Sequence, residues 1–201
     1  MVSYPINIPS SPSIKTLKME MASAVSFASS PFTGHQYVNT FSGEWWEATV
    51  TLPLMTRAES EEWIAFLGLL RGPTGTFLMG DPAGATPRGV ATGTPLVDGA
   101  DQTGDTLNIK GFSTGVTDIL KAGDYIQIGN NLHKVLADVD SDVSGDATVE
   151  IFPRIRTAYA DSAAITTSNT KGLWRLKPGR STWTSDESDM VSMSFDIQEA
   201  F

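Results

Sequence analysis

Two histidines and one aspartate-rich segment are the side chains of this sequence best suited to chemistry. His35 and His133 are the only histidines in the 201 residues, and neither has an acidic residue or a second histidine as a close sequence neighbour. General acid–base catalysis and metal binding both need such a partner. We therefore interpret both histidines as ordinary core or surface residues.

The aspartate-rich segment DVDSDVSGD begins like a calcium-binding loop. Asp138, Asp140 and Asp142 have the spacing of the first three calcium ligands. The pattern then breaks, because Val143 and Val149 occupy the positions that need a glycine and a bidentate glutamate. We predict a solvated acidic turn between two strands, with a nonstandard calcium site as the alternative.

Other catalytic signatures are missing from the sequence. It has no cysteine, no G-x-S-x-G motif and no phosphate-binding G-x-x-x-x-G-K-[ST] loop. Glu61 and Glu62 are adjacent on a predicted helix, so their carboxylates diverge. We expect no enzymatic activity and no cofactor.

The net charge of −9 argues against nucleic acid as a main partner, because phosphate contacts need clustered lysine and arginine. The N-terminal residues lack the basic and apolar regions of a signal peptide, and no stretch approaches the roughly 20 apolar residues of a membrane span. We expect synthesis in the cytoplasm and no membrane span.

Alternating apolar and polar residues predict strands at three places. They are Ile14–Met21, Glu44–Leu52 and Met190–Gln198, and the second of these places Trp45 and Trp46 on opposite faces. One tryptophan is expected in the core, and the other at a subunit interface or, less favoured, on a sugar-binding surface. The prolines at 5, 9 and 12 predict an extended arm that either crosses a neighbouring subunit or is loosely tethered.

One amphipathic helix interrupts this β pattern. Thr56 and Glu59 form the T-x-x-E pattern of a capping box. The apolar stripe that follows at spacings of three and four is Trp63, Phe66, Leu67 and Leu70. Gly72 and Pro73 end the helix. We predict that the stripe packs against a sheet.

The amino-acid composition changes after residue 86. Small polar residues come first, and a series of short apolar runs separated by turns follows them. Runs at intervals of roughly 8–12 residues are typical of a small barrel or sandwich. We predict a mainly β protein in which residues 1–86 and 178–201 form a β-sandwich with one helix. Residues 87–177 form a small β-barrel inserted into it.

Residues 45–82, WWEATVTLPLMTRAESEEWIAFLGLLRGPTGTFLMGDP, resemble the minor and distal tail proteins of long-tailed bacteriophages, and the terminal strand Met190–Ala200 is similar more loosely. The resemblance implies a tail-tube-like β-sandwich and a hexameric ring at the tail tip. In such a ring, the strands before and after the helix pair with the next subunit or line the lumen.

The resemblance also implies partners and a location. The ring joins the tail tube protein to the baseplate hub protein and to receptor-binding or fibre proteins, and DNA passes through it as cargo. The protein is then a structural component of the virion tail tip. As an alternative, the inserted domain binds a host-surface carbohydrate, with Tyr125, Tyr159 or Trp174 as a stacking platform.

Overall fold

The computed structural model describes residues 2–187 and 189–201. Within these residues the structure has one α-helix, two short 3₁₀ helices (Gly72–Thr74 and Pro82–Gly84) and fourteen strands. In chain order the elements are β1 (Ile6–Asn7), β2 (Thr16–Ser29), β3 (Gln36–Thr51), β4 (Met55–Thr56), α1 (Arg57–Leu70), β5 (Phe77–Met79), β6 (Gly93–Val97), β7 (Gly104–Phe112), β8 (Tyr125–Ile128), β9 (Asn131–Val135), β10 (Ala147–Ile155), β11 (Ile165–Thr166), β12 (Gly172–Leu176), β13 (Thr182–Ser185) and β14 (Met190–Glu199).

The strands form two sheets. The larger sheet has the order β1-β5-β12-β14-β3-β2, with β13 and β4 also paired to β14, and the smaller sheet has the order β11-β8-β9-β10-β7-β6. An antiparallel bridge between Leu96 and Ala164 brings the two ends of the smaller sheet together, so this sheet is nearly a closed barrel. The predicted fold class, mainly β with one helix and an inserted barrel, is confirmed.

The boundary between the two lobes differs from the one expected from sequence. Strand β12 lies inside the predicted insert 87–177, yet it pairs with β5 and β14 of the larger sheet. The inserted barrel therefore extends from β6 to β11. Periodicity could not show this, because a strand of five residues has the same pattern whichever sheet it joins.

Helix α1 covers one face of the larger sheet. The stripe Trp63, Phe66, Leu67 and Leu70 is buried. Phe66 packs edge-on against Trp63 and Phe77, with ring centroids 5.7 and 5.3 Å away. Aromatic pairs of this geometry add stabilisation to their area burial.

Both ends of α1 are fixed locally. At the start, the Glu59 carboxylate accepts hydrogen bonds from the Thr56 N–H at 2.9 Å and from the Thr56 hydroxyl at 2.8 Å, as part of a capping box. These bonds lower the pKa of Glu59. At the end, Arg71 takes a left-handed conformation with φ of 50°, and Gly72 follows it.

The proline-containing arm lies on its own chain. Strand β1 pairs in parallel with β5, and the Tyr4 hydroxyl donates to the Leu69 carbonyl at 2.7 Å. Ile6 and Ile8 pack against the core of the larger sheet. This contact corrects the expectation of an arm that crosses a neighbouring subunit or hangs loosely.

Candidate functional site, an uncharged hairpin at the sheet edge

His133 is buried and both of its ring nitrogens have hydrogen-bond partners. Its Nδ1 lies 2.6 Å from the Pro153 carbonyl oxygen, and its Nε2 lies 2.7 Å from the Tyr159 hydroxyl. Because a carbonyl oxygen only accepts, Nδ1 carries the proton and Nε2 accepts from Tyr159. Burial lowers the pKa of His133 to about 4, so the ring is neutral and both of its nitrogens are occupied.

The aspartate-rich segment forms turns, as its carboxylates accept hydrogen bonds from backbone N–H groups. Asp138 accepts from Ala122, Asp140 from Asp118, and Asp142 from Ser144 and Asp146. The bond from the Asp146 N–H contributes most to lowering the pKa of Asp142. Across residues 2–187 and 189–201, no group of three or more acidic or histidine side chains is placed to share a metal ion.

Two of the aromatic residues considered as a carbohydrate platform are buried. Trp174 lies in β12, outside the barrel, and its Nε1 donates to the Met79 carbonyl at 2.8 Å. Tyr125 is 3% exposed and its hydroxyl donates to Asp81 at 3.1 Å. Tyr159 is half-buried and bonded to His133. Stacking on a sugar requires an open ring face, which Trp174 and Tyr125 do not present.

The two adjacent tryptophans occupy different environments. Trp46 is 1% exposed, packs edge-on against Phe152 at 5.1 Å and donates through Nε1 to the Leu132 carbonyl at 2.9 Å. It therefore joins the two lobes of one chain, which corrects its assignment to a possible subunit interface. Trp45 faces the other side, is half-buried, and donates to Glu47 at 3.0 Å.

Ion pairs border this seam between the lobes. Glu44 of β3 accepts from the backbone N–H of Arg154 at 2.8 Å, and the buried Glu199 of β14 accepts from both terminal nitrogens of Arg156. Glu199 also accepts from the Trp46 N–H at 3.0 Å. The two carboxylates face the two arginines of the barrel, and the buried Nε of Arg154 has no hydrogen-bond partner among the described residues. These contacts connect the two lobes.

The outer half of the β2–β3 hairpin is the most unusual surface of the protein. Beyond the pair Met21 and Trp46, the two strands leave the body and meet at the turn around Gly34. Large apolar side chains are exposed along this segment, namely Met21, Val25, Phe27, Phe32, Tyr37, Val38 and Phe41. Phe32 at the tip is 95% exposed.

The same segment carries no acidic residue, lysine or arginine from residue 21 to residue 43, although 18% of the chain is charged. A hairpin that projects into water normally carries charges, both for solubility and to prevent association. We refer to residues 21–43 as the uncharged hairpin. Its exposed side chains are apolar or neutral polar groups.

The exposed apolar residues continue a face that is buried nearer the body. Leu17 and Met19 of β2 pair with Val50 and Ala48 on the core side of the larger sheet. Beyond Ser23, which pairs with Glu44, and a register shift in the pairing with β3, alternation along β2 places Val25 and Phe27 on this same side. The apolar stripe is therefore interrupted at Ser23 and resumes on the hairpin.

Strand β2 is also the edge of the larger sheet. On one side it pairs with β3 from Thr16 to Ser29, with a register shift between Ser23 and Val25, and on the other side no strand in the described residues pairs with it. The opposite edge, β1, has two residues and lies between Pro5 and Pro9, which protect an edge. Strand β5, expected at an interface, has both sides occupied within the chain, whereas β3 pairs with β14 only from Glu47 to Thr51 and with β2 alone along its outer part.

Sequence reasoning identified the base of this hairpin and missed its extension. The signal was present as the alternation of Val25 and Phe27 and as the missing charges between Glu20 and Glu44. No protein-family model matches the chain, and no curated protein matches it. In the described residues, no helix is both long and apolar enough to span a membrane.

Proposed function

We propose that this protein is a structural subunit of the tail tip of a long-tailed bacteriophage, where copies of it form a ring. The ring joins the tail tube protein to the baseplate hub and to receptor-binding or fibre proteins. The uncharged hairpin carries this proposal, because its surface is suited to burial in an assembly. The resemblance of residues 45–82 to distal tail proteins supplies the location.

The physical argument for assembly rests on the cost of leaving the hairpin in water. A two-stranded hairpin without a third strand or a covering layer is marginally stable. Its apolar side chains gain roughly 25 cal/mol for each Å² removed from water. An unpaired edge also offers a row of backbone hydrogen-bonding groups to another chain.

The other features fit a structural subunit. The described candidates for chemistry, His133 and the three aspartates, are engaged in internal hydrogen bonds. The ion-paired seam fixes the inserted barrel relative to the sheet, as a connecting part requires. A net charge of −9 disfavours binding of DNA that passes through the ring.

The test combines imaging with a matched pair of variants. Antibody labelling and electron microscopy of phage particles should place the protein at the tail tip. Phe27→Ser should reduce its incorporation at least tenfold, while Val143→Ser, which changes an apolar residue 90% exposed on the barrel, should leave incorporation unchanged. Absence of the protein from particles, or equal incorporation of the two variants, would refute the proposal.

A further inference from the structure

A small pocket lies on the barrel side of the seam between the two lobes. It has a volume of about 140 Å³. Strand β9 and the chain around the end of β10 supply most of its walls, and Phe201, which follows β14, supplies the rest. The lining residues are Asn131, His133, Arg154, Arg156, Thr157, Tyr159 and Phe201. A water molecule occupies roughly 30 Å³ in the liquid, so the pocket has room for about four or five groups of that size.

One wall of the pocket is held in place by hydrogen bonds between neutral groups. The buried His133 accepts through Nε2 from the Tyr159 hydroxyl at 2.7 Å and donates through Nδ1 to the Pro153 carbonyl. The Asn131 side chain also hydrogen-bonds to Tyr159. These groups shape the pocket, and the positive charge inside it comes from the two arginines.

Arg156 has acceptors for its charge within the chain. Both of its terminal nitrogens donate to the buried Glu199 carboxylate, and Nη1 also donates to the Glu44 carbonyl. The exposed Phe201 ring lies over this guanidinium, with its centroid 4.5 Å from Cζ. Arg156 is therefore engaged by the seam and by the aromatic ring at the rim.

Arg154, in contrast, has donors that lack acceptors. Its Nη2 lies 3.5 Å from a Glu44 carboxylate oxygen, beyond the roughly 2.7–3.2 Å of an ordinary N–H···O bond. The other oxygen of that carboxylate accepts from the Arg154 backbone N–H at 2.8 Å. The Nε of Arg154 is buried and has no hydrogen-bond partner among the described residues. Because a buried donor without an acceptor is unfavourable, an acceptor supplied by a ligand would stabilise this arrangement.

We infer that this pocket binds the carboxylate of a small organic acid and that Arg154 recognises it. A guanidinium presents parallel N–H groups to the two oxygens of a carboxylate, and Nε with one terminal nitrogen forms such a pair. The Phe201 ring at the rim offers apolar surface to the carbon atoms of the acid. The site goes beyond the assembly proposed above and does not depend on it.

Charge and size favour a ligand with one negative charge. The two arginines face two carboxylates, Glu44 and Glu199, so a doubly charged phosphate meets more repulsion than a singly charged carboxylate. The volume of the pocket suits a carboxylate with a short carbon chain, such as propionate. Propionate is therefore the probe for this site.

The buried Nε–H group of Arg154 gives a direct signal in proton–nitrogen correlation NMR spectra. This signal is assigned by its loss in the Arg154→Lys variant. Titration with sodium propionate at constant ionic strength should shift it to saturation, with a dissociation constant in the millimolar range. Propionamide, which has the same shape without the charge, should leave the signal unchanged.

Three variants separate recognition from folding. Arg154→Lys keeps the charge but loses the planar fork, so calorimetry should show propionate binding at least tenfold weaker. Arg180→Lys, at an exposed position outside the pocket, should bind propionate like the unaltered chain. Glu44→Gln removes the competing carboxylate and should tighten propionate binding severalfold. Circular dichroism of each variant verifies the fold.

Several results would overturn the inference. A propionate titration without saturation, or equal binding of propionamide, would show that the pocket does not recognise a carboxylate. Tighter binding of inorganic phosphate than of propionate would show that the ligand class is wrong. Equal affinities of the Arg154→Lys and Arg180→Lys variants, or no tightening in Glu44→Gln, would exclude Arg154 as the recognising residue. None of these results tests the tail-tip location, which imaging of particles decides separately.

Discussion

Glu199 and Arg156 form an ion pair that joins the two lobes of this protein. Glu199 ends the last strand of the larger sheet and is 5% exposed, whereas Arg156 follows the last long strand of the barrel. The carboxylate also accepts from the Trp46 N–H, so one side chain connects both sheets to the tryptophan in the seam. This pair therefore helps to fix the orientation of the barrel relative to the larger sheet.

Replacing Glu199 with glutamine should destabilise the protein by about 3 kcal/mol, because Arg156 keeps its charge in a largely buried position without its partner. Urea denaturation provides the measurement. The matched control is Glu20→Gln, which breaks the solvent-exposed pair with Lys18 and should change the free energy of unfolding by less than about 0.5 kcal/mol. Equal effects from the two variants would contradict the described seam.

His133 should make stability fall in mildly acidic solution. Its pKa in the folded protein is about 4, below the ordinary value of 6.5, so the unfolded chain binds the extra proton first as the pH falls. The contribution of neutral His133 to the free energy of unfolding is complete above about pH 6.5. It is lost progressively toward pH 4, by up to roughly 3 kcal/mol.

Because carboxylates titrate in the same pH range, the test compares how the free energy of unfolding changes with pH in the unaltered protein and in a variant. His133→Gln should have a shallower stability profile between pH 6.5 and pH 4 than the unaltered chain. Identical slopes for the two proteins would show that His133 is not held neutral.

The helix stripe should be more sensitive than the exposed side of the same helix. Phe66→Ala removes a buried ring that contacts Trp63 and Phe77 and should reduce the free energy of unfolding by about 3–5 kcal/mol. Leu69→Ala, at a position 46% exposed, should cost less than about 1 kcal/mol. Guanidinium denaturation measures the loss of unfolding free energy in each variant. Equal losses in the two variants would mean that α1 does not cover the sheet.

Two glycines should respond in opposite directions to alanine. A Cβ at Gly80 would overlap the carbonyl oxygen of Thr170, so Gly80→Ala should destabilise the junction between the lobes by about 2 kcal/mol or more. A Cβ at Gly68 in α1 meets no atom within 4 Å, and Gly68→Ala should stabilise the helix by about 0.5–1 kcal/mol. Thermal unfolding distinguishes the two, and a stabilised Gly80→Ala protein would refute the described junction.

Removing the uncharged hairpin should separate assembly from folding. Residues 24–43 can be replaced by Asn-Gly, because Ser23 and Glu44 are paired and a two-residue turn joins paired strands. We expect a change in unfolding free energy within about 1 kcal/mol, since most of the removed side chains are exposed, together with loss of self-association in light scattering. A shortened protein that still associates would place the contact elsewhere.

The sequence by itself determined the features that depend on near neighbours. The capping box of Thr56 and Glu59, the stripe from Trp63 to Leu70 and the alternation around Trp46 all follow from spacings within one turn or one strand. These interactions form between residues close in the chain, so their pattern is visible without the fold.

The tertiary structure alone decided which strands meet and which surfaces remain open. The pairing of β12 with the larger sheet, the contact of Trp46 with Leu132 and the position of β2 at an edge each join residues far apart in sequence. The alternation of a strand identifies its two faces but not its neighbour, because backbone hydrogen bonds are the same for every residue type. The sequence pattern of the hairpin therefore indicates a strand. Only the tertiary structure shows that this strand lies at an unpaired edge and exposes its apolar residues.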